Sequence, residues 1–403
     1  MKKKKKDGKW LKFRHRVVRN IVYCVLRPYV HFKYGIKIEK FKKQEKRPYL
    51  ILLNHQTPFD QFFVGMTFRG PVYYMATEDI FSLGWISSLI KYLVEPIPIK
   101  KQTTDVRAII NCLKVAKEGG TIAIAPEGNR TYSGRTEYMN PSIVSLARKL
   151  GMPILLYRIE GGYGSEPRWS DVVRKGKMRV YCARVLNPEE YAEMSDSELF
   201  RAISETLYVD EACADSEYRS KKSAEYLERA IYYCPFCGLS ELESRGEIIK
   251  CKKCGREIRY TPYKQLLGVN FDFPYEFVAD WYNAQKAYMN TLDVRTYTES
   301  PIYSDRAAIS EVIPYKHKLR LGEVTLSLYG NRISAAGEVN FDFPFDEVSA
   351  VTVLGKNKAN IYHGGKIYQL KGDKRFNALK YVHIYHRYKN LIKGDENEQF
   401  LGL

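Results

Sequence analysis

Two residues five apart, His55 and Asp60, are the first pair in the chain whose types could do chemistry together. A carboxylate bonded to one ring nitrogen fixes the imidazole tautomer and makes the other nitrogen a better base. Such a base can take a proton from a hydroxyl while that hydroxyl attacks a thioester carbonyl. A second group is Glu127, Gly128 and Arg130. Glycine lets a backbone come close to a ligand, and a guanidinium can grip a phosphate with two parallel bonds. Lys100 and Lys101 stand between the two groups and suit a further phosphate contact. Cys234, Cys237, Cys251 and Cys254 form two CxxC pairs with thirteen residues between them, each pair followed by a glycine. That spacing can place four thiolates around one zinc with no open position, so a structural zinc is expected.

Elements follow from what must position these groups. Tyr49–Leu53 is an apolar run that reads as a buried strand, delivering His55 at its end. Thr57 suits an N-cap and Pro58 a first helical residue, which puts Asp60 in the first turn of a helix. Ile122–Ala125 is a second strand, running into Pro126-Glu127-Gly128, and Ile97–Ile99 a third, running into the lysines. Met152–Tyr157 is a fourth. Helical stretches over 61–68, 79–93, 104–118 and 140–150 alternate with them. The pattern is α/β, and such folds take ligands beyond the carboxyl ends of their strands.

Asn54-His55-x4-Asp60 resembles the first motif of the glycerophospholipid acyltransferase family, which includes 1-acylglycerol-3-phosphate acyltransferases. The resemblance covers roughly residues 10–225. It implies His55 as general base and Asp60 as its orienting partner. Pro126-Glu127-Gly128-Asn129-Arg130 is similar to the family's proline-glutamate-glycine-x-arginine motif, which binds the acceptor's glycerol phosphate; Ala125 stands where an aromatic is usual. It also implies an acyl thioester, acyl-CoA or acyl carrier protein, as donor and a lysophospholipid as acceptor. No serine or cysteine in the motifs is placed as a nucleophile, so transfer in one step is expected.

The charge is +19, and residues 1–50 hold eighteen Lys or Arg against three acidic residues. A basic tip on a nearly neutral body calls for an anionic surface. On a helix over residues 9–27, Trp10, Phe13, Val17, Ile21 and Cys24 share one stripe, and Lys12, Arg16, Arg19 and Arg27 the other side, with Arg14 as an exception near the apolar stripe and Pro28 expected to close it. That is the pattern of a helix lying in a membrane interface. Nucleic acid is the poorer partner, because it leaves the His/Asp pair unexplained. No run reaches the ~18 apolar residues of a bilayer span, and no secretory leader is apparent. A cytoplasmic protein, peripheral on the inner face of the membrane, is expected.

The organisation expected is a basic amphipathic segment (1–35), an acyltransferase domain (36–225), a zinc ribbon (230–260), a helical linker (262–300) and a β-rich domain with a C-terminal helix (310–395). Within the linker, 262–292 reads as helix. In the last domain, strands are expected at Lys318–Leu328 and Val348–Leu354, with turns at Gly330-Asn331 and Gly364-Gly365 and a helix from Lys374 to Leu391. A small bent sheet closed by one helix resembles the pleckstrin-homology-like architecture. Two other functions fit the same residues: acylation of glycerol 3-phosphate or another lyso-lipid, and a non-catalytic protein that recruits partners to membranes.

Overall fold

A computed structural model describes residues 9–99 and 105–394 of the chain. The chain divides into two compact units, the first made of residues up to 128 with 139–160 and 178–209, the second of residues 129–138, 161–177 and 210 onward.

The first unit opens with α1 (Phe13–Tyr34), then β1 (Ile36–Ile38), β2 (Leu50–Leu53), α2 (Asp60–Thr67), β3 (Val72–Thr77) and α3 (Trp85–Val94). It continues with β4 (Ile97–Ile99), α4 (Val106–Lys117), β5 (Thr121–Ile124), α5 (Ser142–Leu150) and β6 (Ile154–Glu160). The one-turn α6 (Gly162–Ser165) belongs to the second unit, after which β7 (Met178–Leu186), α7 (Pro188–Ala192) and α8 (Asp196–Leu207) complete the first. The seven strands form one sheet in the order β1-β7-β6-β2-β5-β3-β4. From β6 to β4 all neighbours are parallel, while β7 runs antiparallel to β6. β2 lies in the middle, all four of its side chains buried, as an apolar run covered on both faces must be.

α1 differs from the expected helix at both ends. It runs through Pro28 and stops only at Gly35, whose φ of 61° is the left-handed cap conformation that glycine adopts without strain. Pro28 and Cys24 are both exposed, so water can take the carbonyl that the proline cannot bond. Three of its basic side chains are tied to the first unit. The Arg14 Nε donates to the Tyr92 carbonyl at 2.8 Å, Arg19 donates to the carbonyls of Phe68 and Gly65, and Lys12 pairs with Glu95. His15 is buried, with Nδ1 2.9 Å from the Tyr73 hydroxyl, and that burial lowers its pKa. Phe13, 80% exposed, and Val17, Ile21, Val25 and Phe32 face outward. No helix among the described residues is long and apolar enough to cross a membrane.

In the second unit the cysteine-bearing segments form two small sheets. β8 (Tyr233–Cys234) pairs with β9 (Gly238–Leu239), and β10 (Leu242–Arg245), β11 (Ile248–Cys251), β12 (Glu257–Tyr260) and β13 (Leu266–Gly268) form a four-stranded meander. α9 (Val278–Thr291) follows. The helix expected over 262–292 therefore exists only in its second half. Ahead of it Phe271, Phe273 and Tyr275 pack edge to face in an extended run, a spacing of two rather than of a helical turn.

The last module is a seven-stranded antiparallel sheet in the order β17-β16-β15-β14-β20-β19-β18. Its strands are β14 (Tyr303–Val312), β15 (Lys318–Leu328), β16 (Arg332–Gly337), β17 (Phe341–Pro344), β18 (Val348–Leu354), β19 (Lys358–His363) and β20 (Lys366–Gly372). The sheet curls into a half-barrel closed by α10 (Leu379–Lys393), most of whose residues are buried. This is the strand-rich module with a terminal helix that the sequence leads one to expect. α10 begins at Leu379 rather than Lys374, and β14 starts ahead of the expected domain.

Candidate active site

At the carboxyl end of β2 the side chain of Asn54 continues the sheet's own pairing. Its Nδ2 donates to the Ile159 carbonyl at 2.8 Å and its Oδ1 accepts from the Ile159 N–H at 2.7 Å. The chain is thereby held straight for one more residue before it turns at His55. Asp60 is the first residue of α2 and is buried. One carboxylate oxygen is 2.8 Å from His55 Nδ1 and accepts from the Gln56 N–H at 2.6 Å. The carboxylate also accepts from the Thr57 N–H at 2.9 Å and from the Thr57 hydroxyl at 2.7 Å. The helix does not start on Thr57 as expected. Phe59 is its cap residue, and a phenyl ring can make no cap bond; the Thr57 hydroxyl accepts from the Phe59 N–H at 3.1 Å while donating to Asp60.

Acceptor-only oxygens filled by backbone and hydroxyl donors leave a carboxylate little freedom to rotate. The imidazole is thus held through Nδ1, and Nε2 is left to exchange protons. The His55 side chain is 27% exposed, enough for a small hydroxyl to reach it.

β5 lies beside β2, with Leu52 opposite Ile124. The loops leaving the two strands are therefore neighbours. Glu127 is buried, and its carboxylate accepts from the His55 N–H at 2.8 Å. This bond to the His55 backbone cannot be read from the sequence motif alone. Nor can the Asn54 clamp, although an asparagine directly after a buried strand is a signal for such a clamp. Gly128 has φ +70° and open space where a Cβ would stand, so backbone conformation is what calls for glycine.

Arg130 belongs to the second unit. There its backbone carbonyl accepts from the Arg168 guanidinium at 2.9 Å, and its own guanidinium lies 3.4 Å from the Arg168 carbonyl. Lys100 and Lys101 lie outside the described residues.

Also in the second unit, the sulfurs of Cys234, Cys237, Cys251 and Cys254 all lie within 4.8 Å of one another. The Cys234–Cys254 separation is 3.9 Å, close to the edge of roughly 3.8 Å expected for a sulfur tetrahedron with ~2.3 Å metal–sulfur bonds. The donor set fits a tetrahedral soft metal ion. Burial pushes the Cys254 thiol up, but hydrogen bonds from Arg256 and the neighbouring thiols more than offset it, bringing it down to about 6.

Residues 35–159, the stretch that carries the His55, Glu127 and Arg130 motifs, match the family model described as Acyltransferase. This part of the chain is an acyltransferase domain. Among curated proteins it is similar to the 1-acyl-sn-glycerol-3-phosphate acyltransferase of Bacillus subtilis (strain 168), 24% identical over 136 residues that cover 34% of this chain and 65% of that one. A chloroplastic relative from Brassica napus, the 1-acyl-sn-glycerol-3-phosphate acyltransferase BAT2, is 23% identical over 180 residues, 42% of this chain and 49% of its own length. The chain thus spans less than two thirds of either relative. Among solved structures, the 1-acyl-sn-glycerophosphate (LPA) acyltransferase PlsC of Thermotoga maritima aligns with 48% of this chain and 78% of its own, at a TM-score of 0.41 and 22% identity.

Proposed function

We propose that this protein transfers a fatty acyl group from a thioester, acyl-CoA or acyl carrier protein, to the free hydroxyl of 1-acylglycerol-3-phosphate, giving phosphatidic acid. The observation that carries the reading is the 2.8 Å contact between His55 Nδ1 and a buried Asp60 carboxylate. His55 Nε2 takes the hydroxyl proton as the oxygen attacks the thioester carbonyl. The proton then passes to the leaving thiolate as the carbon–sulfur bond breaks. Asp60 holds the tautomer and steadies the imidazolium in between. Glu127 fixes the loop through the His55 N–H. Arg130 takes the acceptor's phosphate, assisted by Lys100 or Lys101, and Gly128 gives the loop its turn.

The outward apolar side of α1, with Arg16 and Arg27 also exposed, lies on an anionic membrane surface, the inner face for a cytoplasmic protein. The four cysteines hold a structural zinc.

The test is acyl transfer from labelled oleoyl-CoA to lysophosphatidic acid, followed by lipid chromatography. His55→Ala is expected to lose roughly 10²–10⁴-fold in turnover with unchanged vesicle binding. Turnover near the wild-type level would end the assignment. Product from glycerol 3-phosphate in place of lysophosphatidic acid would move the acceptor while keeping the chemistry.

A further inference from the structure

We propose that α9 holds the Arg130 loop in its working shape, so that a helix beyond the acyltransferase motifs sets how well the acceptor is gripped. The inference rests on the assignment of Arg130 to the acceptor's phosphate.

Residues 129–138 contain no helix and no extended strand, only an isolated bridge between Arg135 and Asp210. Their shape must come from side-chain ties. Three of these lead to α9, which shares the second unit with the loop. Arg135 donates to Asp280 at 3.1 Å while its Nε bonds Asp210 at 2.9 Å. Lys286 Nζ is 3.2 Å from Glu137, whose other oxygen accepts from the Ser133 hydroxyl at 3.0 Å. Tyr132 is buried and stacks on Tyr282, with ring centroids 6.4 Å apart and planes within 16° of parallel. On Tyr132 lies the guanidinium of Arg168, at 4.3 Å, and Arg168 bonds the Arg130 carbonyl. A path of contacts therefore runs from α9 through Tyr132 and Arg168 to the backbone of Arg130.

α9 is itself fixed. Gln285 accepts from the Tyr232 N–H at 2.7 Å and donates to the Ala230 carbonyl, and the Trp281 indole donates to the Tyr233 carbonyl at 2.9 Å. These bonds fasten the helix to the backbone that leads into Cys234. A phosphate grip depends on where the guanidinium is presented, and a misplacement of an ångström is costly. Lys286 and Asp280 are accordingly positioning residues: they touch the loop, not the substrate.

The experiment uses the full chain and separates acceptor KM from kcat. Arg130→Ala sets the ceiling for loss of the grip. Lys286→Glu puts like charges against Glu137, and the expected result is a roughly tenfold rise in KM for lysophosphatidic acid, with kcat and donor KM within about twofold of wild type. Combining it with Glu137→Lys restores most of the loss, and Asp280→Asn gives a smaller rise. Lys286→Met serves if the reversal fails to fold. An unchanged acceptor KM in the Lys286 variants, with Arg130→Ala raising it, overturns the inference alone. No effect of Arg130→Ala overturns the role of Arg130 and the inference with it. Equal loss of kcat and melting temperature at constant KM would make α9 merely structural and also overturn it.

Discussion

The two seven-stranded sheets use the same number of strands to opposite ends. In the first unit five consecutive neighbours run parallel, so their carboxyl ends open onto one edge in a row of loops. Two of those loops, after β2 and β5, lie side by side, and polar groups 72 residues apart in sequence meet in one backbone bond. In the half-barrel every pairing is antiparallel. Several of its strand ends are taken up by tight turns, and its interior is filled by Ile309, Leu326, Ile333, Val353, Ile361 and Leu370 with α10. One sheet leaves its ends free for chemistry; the other closes on an apolar core and contributes rigidity.

The comparison can be broken most decisively at the four cysteines. A chelator, or Cys251→Ser, tests the proposed zinc, a tie that can be worth about 10 kcal/mol in a small metal site. Calorimetry is expected to show the second unit's transition falling by more than roughly 10 °C while that of the parallel sheet stays. Identical melts with and without chelator would mean that no metal is held. Next comes Asp60→Ala. It leaves the Gln56 and Thr57 N–H groups without their acceptor, at about 1–3 kcal/mol each. Urea titration should locate the loss in the first unit, accompanied by loss of acyl transfer; a stable and active variant would separate Asp60 from the site.

A smaller effect is expected at Glu211 in the second unit. Burial pushes its carboxyl up to about 7, although it accepts from the Gly164 N–H. The unfolded chain loses this proton near the ordinary glutamate value, the folded unit only near 7. Stability is therefore highest below the unfolded pKa, declines as pH rises towards 7, and stays lower above it, by about 3 kcal/mol. Glu211→Gln should remove that slope, and a wild-type unit whose stability does not fall over this range would contradict it. The smallest change is on α1. Phe13→Ser with Ile21→Ser should weaken sedimentation with anionic vesicles by about tenfold or more and leave the melt untouched. Equal vesicle binding would assign the outward face another use.

What the sequence made legible was local or periodic. The His55–Asp60 contact closes within one turn at a strand end, and the CxxC pairs need only a hairpin between them. The strands Lys318–Leu328 and Val348–Leu354 announce themselves by composition and flanking turns. What stayed hidden depended on distant partners. The bond from His55 to Glu127 exists because β2 and β5 are neighbours in the sheet. The ties of Lys12, Arg14 and Arg19 depend on Glu95, Tyr92 and Phe68, which the periodicity of α1 cannot reveal. Pro28 sits inside the helix for a similar reason: the buried Val30 and Tyr34 beyond it offset the cost of the proline.

The way the second unit is threaded has a practical corollary for anyone trimming the gene. Two of its pieces, 129–138 and 161–177, are encoded inside the acyltransferase half. A fragment ending near Val209 would keep those pieces and discard the body that shelters them, baring Tyr132 and Trp169 to water. The chain passes from one unit to the other several times, so a single cut cannot separate them cleanly.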